Sequence, residues 1–188
     1  MIEIIPNWHP MFVHFTVASF STACVLYVLA YVFSSRKIAP LKIVSEIEIV
    51  GRWCLWLAAF ITVGTVLAGL YAFNTVRHDE AAHIAMIIHR KWALATATGI
   101  VLLAIWSGRH HYKNKKPAII FIAALLAVQF SLLTTAWFGG ELVYRHGLGV
   151  MSLPKTEGEG HHHHSEEMKM DHSNMPSMEN PPGHDHMK

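Results

Sequence analysis

The chain has 188 residues, 52% of them hydrophobic and 15% charged, with a net charge of +2. Soluble domains carry about 25% charged residues, so a water-soluble globule is excluded, as is disorder over the whole length. Two Cys are too few for a disulfide scaffold, and the small net charge without a basic stripe argues against a nucleic-acid partner.

An integral membrane protein remains. Crossing about 30 Å of hydrocarbon takes about 20 apolar residues in a helix. Four stretches qualify, and helices are predicted at about 10–33, 53–76, 80–107 and 117–138. Pro10 suits the first helical position, where its missing N–H is no loss. Before it, Met1-Ile2-Glu3 lacks the basic start of a cleavable signal. The second helix begins at Trp53 and is uncharged. The third begins beside Asp79, a good N-cap with Glu80 favourable in the first turn. Arg90 and Lys91 interrupt its apolar pattern and can snorkel to headgroups. The fourth is closed by Gly139-Gly140. Trp8, Trp53, Trp92, Trp106 and Trp137 fall near helix ends, as an aromatic belt requires.

Lys and Arg placement gives an orientation. Arg36, Lys37, Lys42 and Arg52 lie between the first two helices, and Arg109, Lys113, Lys115 and Lys116 between the last two. These eight stand against five on the other side up to residue 155, namely Arg77, Arg90, Lys91, Arg145 and Lys155. The basic loops are therefore expected in the cytoplasm and both termini outside. The domain spans 6–151, and 152–188 reads as a disordered His/Met-rich tail without apolar periodicity. The fold class is all-α, a four-transmembrane-helix bundle with that tail.

On this topology thirteen of fifteen His gather at the outer face. His9 and His14 open the first helix, His78, His83 and His89 surround the start of the third, His146 follows the fourth, and seven more lie in the tail. Only His110 and His111 fall inside. His14 and His89, at similar depth on two helices, are placed to hold one b-type haem edge-on as axial ligands. Small residues would face the plate: Ala18 and Ser21 on the first helix, Ala93 and Thr96 on the third, Gly64 and Ala68 on the second. Such spacing is equally the way transmembrane helices pack closely, and single His residues near an interface often only hydrogen-bond to backbone or headgroups. A second reading takes His83, Met86 and His89, spaced i, i+3 and i+6, as copper donors. Met86 as an apolar filler is the alternative. His9 and His146 complete the candidate metal ligands of that face.

The tail carries His161, His162, His163, His164, Met168, Met170, His172, Met175, Met178, His184, His186 and Met187. Thioethers favour Cu(I) and imidazoles take Cu(II), zinc or nickel, so this mixture favours copper, held in a weak multisite manner. Four His in a row is short for an affinity tag, and the enrichment continues well beyond it. Cys24 and Cys54 read as small apolar residues. Gln129, Thr134 and Thr135 read as hydrogen-bonding glue between helices. No nucleophile triad, P-loop or dinucleotide glycine motif is present, so no catalytic residue is assigned.

The opening Trp8-His9-Pro10-Met11-Phe12-Val13-His14-Phe15 and the closing Gly139-Gly140-Glu141-Leu142-Val143-Tyr144-Arg145-His146-Gly147-Leu148-Gly149-Val150 resemble the bacterial membrane family termed domain of unknown function 2231. The resemblance covers about residues 6–151 and implies four membrane helices. Its motif histidines fall on His9, His14, His146 and His89 (or His83). Thr16 stands where the family has Pro. Di-haem b561-type cytochromes are a looser analogy. Their inner haem needs inner His on two helices, so at most one haem fits here.

The expectation is a bacterial inner-membrane protein with both termini periplasmic. One b-type haem or copper would sit at its outer face and serve electron transfer or copper handling. Its partners are the lipid bilayer and a periplasmic electron carrier or copper protein. It is at most a membrane redox carrier rather than an enzyme of substrates. The alternative is a structural or assembly protein without a cofactor. A transporter would need a polar path, for which only Thr62, Thr65, Thr98, Gln129 and Ser131 are on offer.

Overall fold

The computed structural model describes residues 8–76, 78–112 and 118–149. The tail residues named above, His161 to Met187, lie outside them. The described residues form four helices, α1 (His9–Arg36), α2 (Leu41–Thr75), α3 (Glu80–Tyr112) and α4 (Ile119–Tyr144), each long and apolar enough to cross a membrane. They are arranged up-down-up-down in a ring, α1 against α2, α2 against α3, α3 against α4 and α4 back against α1. One end of the bundle holds the start of α1, the α2–α3 connection and the end of α4. It is called the His9 end below, and the opposite one the Tyr27 end.

Local chemistry explains the boundaries. Pro10 lies in the first turn of α1. Lys37 ends that helix in the left-handed region at φ 52°, and Ile38 N–H reaches the Phe33 carbonyl at 3.1 Å. Pro40 N-caps α2, which therefore starts at Leu41 rather than at Trp53. The polar stretch around Glu46 and Glu48 is helical, because Val44, Gly51 and Leu55 on one side are buried and hold it to the bundle. Asp79 caps α3, its Oδ1 accepting Ala82 N–H at 2.8 Å. The Gly139-Gly140 pair does not end α4. The helix runs on to Tyr144, with Glu141 and Arg145 paired at 2.9 Å. It stops where Gly147 takes φ 62° and its N–H bonds the Val143 carbonyl at 3.0 Å. Left-handed backbone of this kind is the reason for glycine there and at Gly149, φ 79°.

Every helix carries apolar residues on all sides, the pattern of a bundle whose outside is also an apolar medium. Phe60, Phe130 and Trp137 are at least 69% exposed, as lipid-facing side chains are. Phe20, Leu55, Ile100, Phe121 and Leu125 fill the interior, Phe121 at the Tyr27 end. Trp106 departs from the expected belt. It turns inward, and its Nε1 donates to His110 Nε2 at 2.6 Å, with Phe121 packed on both rings. Cys24 is buried, and both cysteines are free.

Between the middle of the bundle and the His9 end the interior is polar. Thr16 and Thr65 hydroxyls meet at 2.8 Å, Thr96 meets Ser131 at 2.7 Å and Thr135 at 2.9 Å, and Gln129 donates to Ser21 at 3.1 Å. Each bond joins two helices, so these hydroxyls act as the interhelical glue that a hydrocarbon solvent rewards. Thr98 and Thr134 do not join it. They bond back to the Leu94 and Phe130 carbonyls of their own helices.

Candidate functional site

At the His9 end two imidazoles from different helices meet inside the bundle. His9, the first residue of α1, turns inward, and its Nδ1 bonds the Thr65 carbonyl of α2 at 3.0 Å. A carbonyl only accepts, so the proton sits on Nδ1 and Nε2 carries the lone pair. His89 reaches in from α3. The ring centroids are 6.3 Å apart and the planes cross at 83°. Nδ1 of His89 is buried, and the Thr135 backbone of α4 is a hydrogen-bond partner of this ring.

Two glycines make room for the rings. A Cβ at Gly69 of α2 would lie 2.9 Å from both Cε1 and Nδ1 of His9. A Cβ at Gly139 of α4 would lie 3.2 Å from Cε1 of His89. The glycine pair read as a helix end is thus, in one member, the seat of an imidazole. Below the rings, Phe12 packs on Gly64. Gly69 was not singled out in the sequence, its only signal being a Gly inside an otherwise apolar helix, whereas Thr65 stood only among the residues of a polar path and Gly139 as part of a helix end.

The remaining candidates separate. His14, expected to face His89, is exposed on the outside of α1, its Nδ1 donating to the Pro10 carbonyl of its own helix. The structure therefore does not bring His14 and His89 together. Five residues turn a helix by about 140° beyond a full turn, so His9 and His14 cannot both point inward. Ala18 shares the outward face, whereas Ser21 and Thr96 are taken up by Gln129, Ser131 and Thr135. His83 turns to His78 rather than to His89, and Met86 between them is buried. His146 follows α4, half-buried. Among the described residues no group of three or more His, Cys, Asp or Glu is placed to hold a metal ion.

A pair of imidazoles still has a definite chemistry. With metal–nitrogen bonds of about 2.0–2.1 Å, two rings on opposite sides of one ion have centroids roughly 6 Å apart. The spacing of His9 and His89 is of that size. Such a pair suits an ion content with two imidazoles, Cu(I), or the axial positions of haem iron, and not the four-donor set of structural zinc.

The fold and the site define a class, a four-helix membrane protein with an imidazole pair at one end of its bundle. The profile of a family of predicted membrane proteins, domain of unknown function 2231, matches residues 6–152, and the chain belongs to that family. No curated protein and no solved structure matches the chain.

Proposed function

We propose that the protein is a copper-handling protein of the bacterial inner membrane, with His9 and His89 as the two donors to one cuprous ion and the His9 end facing the periplasm. The observation that carries the reading is the inward meeting of these two imidazoles from different helices, with ring centroids 6.3 Å apart. Met and His enrichment in residues 161–188 supports copper over other ions. Eight Lys and Arg within segments 36–52 and 109–116 support the cytoplasmic placement of the Tyr27 end.

A b-type haem is the second reading, since the same separation suits two axial imidazoles. His9 and His89, not His14 and His89, would then be the ligands, and the role would be electron transfer to a periplasmic partner. Purified full-length protein separates the cases. Anaerobic loading with Cu(I) should give a two-coordinate, nitrogen-bound X-ray absorption edge component that His9→Ala and His89→Ala each remove. A Soret band lost in the same two variants supports haem instead. Neither signal changing in either variant overturns both readings and leaves a structural or assembly role.

A further inference from the structure

A second imidazole pair stands at the surface of the same end. His78 lies in the α2–α3 connection and is exposed, and His83 is in the first turn of α3. His78 Nδ1 donates to the Val76 carbonyl at 2.7 Å. Its Nε2 must therefore accept, and it does so from His83 Nδ1 at 2.9 Å. The rings stack with centroids 5.1 Å apart and planes 9° apart. The two imidazoles are thus locked together by one shared proton. Arg90, the nearby cation on α3, is directed to the Phe73 ring at 4.4 Å. In sequence Arg77 precedes His78 and Asp79 and Glu80 follow it, so the acidic residues outnumber the basic one by one.

The shared proton marks where an ion fits. Two nitrogens bound to one metal at about 2.0 Å lie about 3.3 to 4 Å apart, so the 2.9 Å gap must open by a fraction of an ångström or somewhat more. His83 then moves its proton from Nδ1 to Nε2 through water. With both rings neutral, no electron moves and no proton is released. Beyond this pair, α3 continues with donors at three-residue steps, His83, Met86 and His89, each about 4.5 Å further along the axis. Residues three apart are neighbours on a helix surface. Met86 is buried, in the interval between the surface pair and the inner one. A thioether there favours the cuprous ion over zinc.

We propose that His78 and His83 are an acquisition site for Cu(I), from which Met86 passes the ion along α3 to His9 and His89. This rests on the copper reading of the inner pair. Transfer is ligand exchange at constant oxidation state, one donor leaving as the next binds.

Full-length protein with ¹³Cε1-labelled histidine in lipid nanodiscs provides the test, with anaerobic Cu(I) as the probe. His78 and His83 signals should move first and His9 and His89 signals second. His78→Ala/His83→Ala and, separately, Met86→Leu should slow the second phase by about tenfold or more, the scale on which loss of a supporting group acts on metal sites. The His110 signal reports the fold. Should the double variant disturb it, Met86→Leu decides alone, being nearly volume-conserving. An unchanged second phase in the folded variants overturns the acquisition route and leaves copper at the inner pair standing. No response of His9 and His89 in the unsubstituted protein overturns the copper reading, and the route falls with it.

Discussion

At the scale of residues, space decides which imidazoles can face each other. His9 fits because Gly69 leaves its ring a place, and the Gly69 Cβ position is only 2.9 Å from two ring atoms. Gly69→Ala should displace His9, costing about 1–3 kcal/mol as overpacking does, and should weaken metal binding together with stability. Gly99→Ala is the control. Its Cβ would meet Val128 Cγ2 at 2.8 Å, away from either histidine, so it should cost stability and leave metal binding unchanged. Thermal unfolding in detergent, run beside Cu(I) or haem titration, separates the two. Equal loss of binding in both variants would mean that the imidazole pair merely follows global stability. His14 supplies a second comparison. Exposed and bonded to its own helix, it can be changed to Ala with the bound-metal signal intact, whereas His9→Ala should abolish it. Retained signal in His9→Ala with loss in His14→Ala would overturn this assignment. The sequence placed both on one helix end and chose between them by depth. It could not choose by direction, because a helix apolar on all sides gives no amphipathic stripe to say which face is inward.

At the scale of elements, apolar length was legible and helix ends were less so. Three of the four spans stood out by an uncharged run, since hydrocarbon admits few other sequences, and the third stood out by its apolar pattern on both sides of Arg90 and Lys91. The start of α2 did not, because Lys42, Glu46, Glu48 and Arg52 look like a loop until Val44 and Gly51 are seen to be buried against the bundle. Asp79 was readable as a cap from its position alone. Gly139-Gly140 misled in the other direction, since glycine signals both a helix end and a close approach, and only the neighbouring His89 ring tells which. The polar contacts of α4 with α1 and α3 were partly readable, in Gln129 and Thr135 but not in Thr134, because the choice again depends on the facing direction. Thr96 holds two partners, Ser131 and Thr135. Thr96→Val keeps its shape and removes both bonds. Interhelical hydrogen bonds in membranes contribute about 0.6 kcal/mol on average, so a loss of about 1 kcal/mol is expected in unfolding measurements. No loss at all would show that the two remaining hydroxyls satisfy each other and that the α3–α4 contact rests on packing.

At the scale of the whole molecule, orientation and the composition of residues 161–188 act together. Segments 36–52 and 109–116, at the Tyr27 end, carry eight basic residues, and on the proposed orientation the positive-inside tendency puts that end in the cytoplasm and the His9 end on the other side. The tail adds five Met and seven His to the donors of the chain. Deleting residues 161–188 should leave the four-helix fold intact, because helices satisfy their backbone groups internally. It should lower the number of copper ions bound per chain, since most of the thioethers leave with it. The ion lost on His89→Ala should still be lost in the shortened chain, which separates a tail reservoir from a site within the bundle. Copper stoichiometry of both forms, with and without His89→Ala, measures this, and a reporter fused after Val150 checks the side of the membrane. Equal copper binding by long and short chains would reduce the tail to a polar extension. A cytoplasmic reporter would place the imidazole pairs on the side where periplasmic copper never arrives.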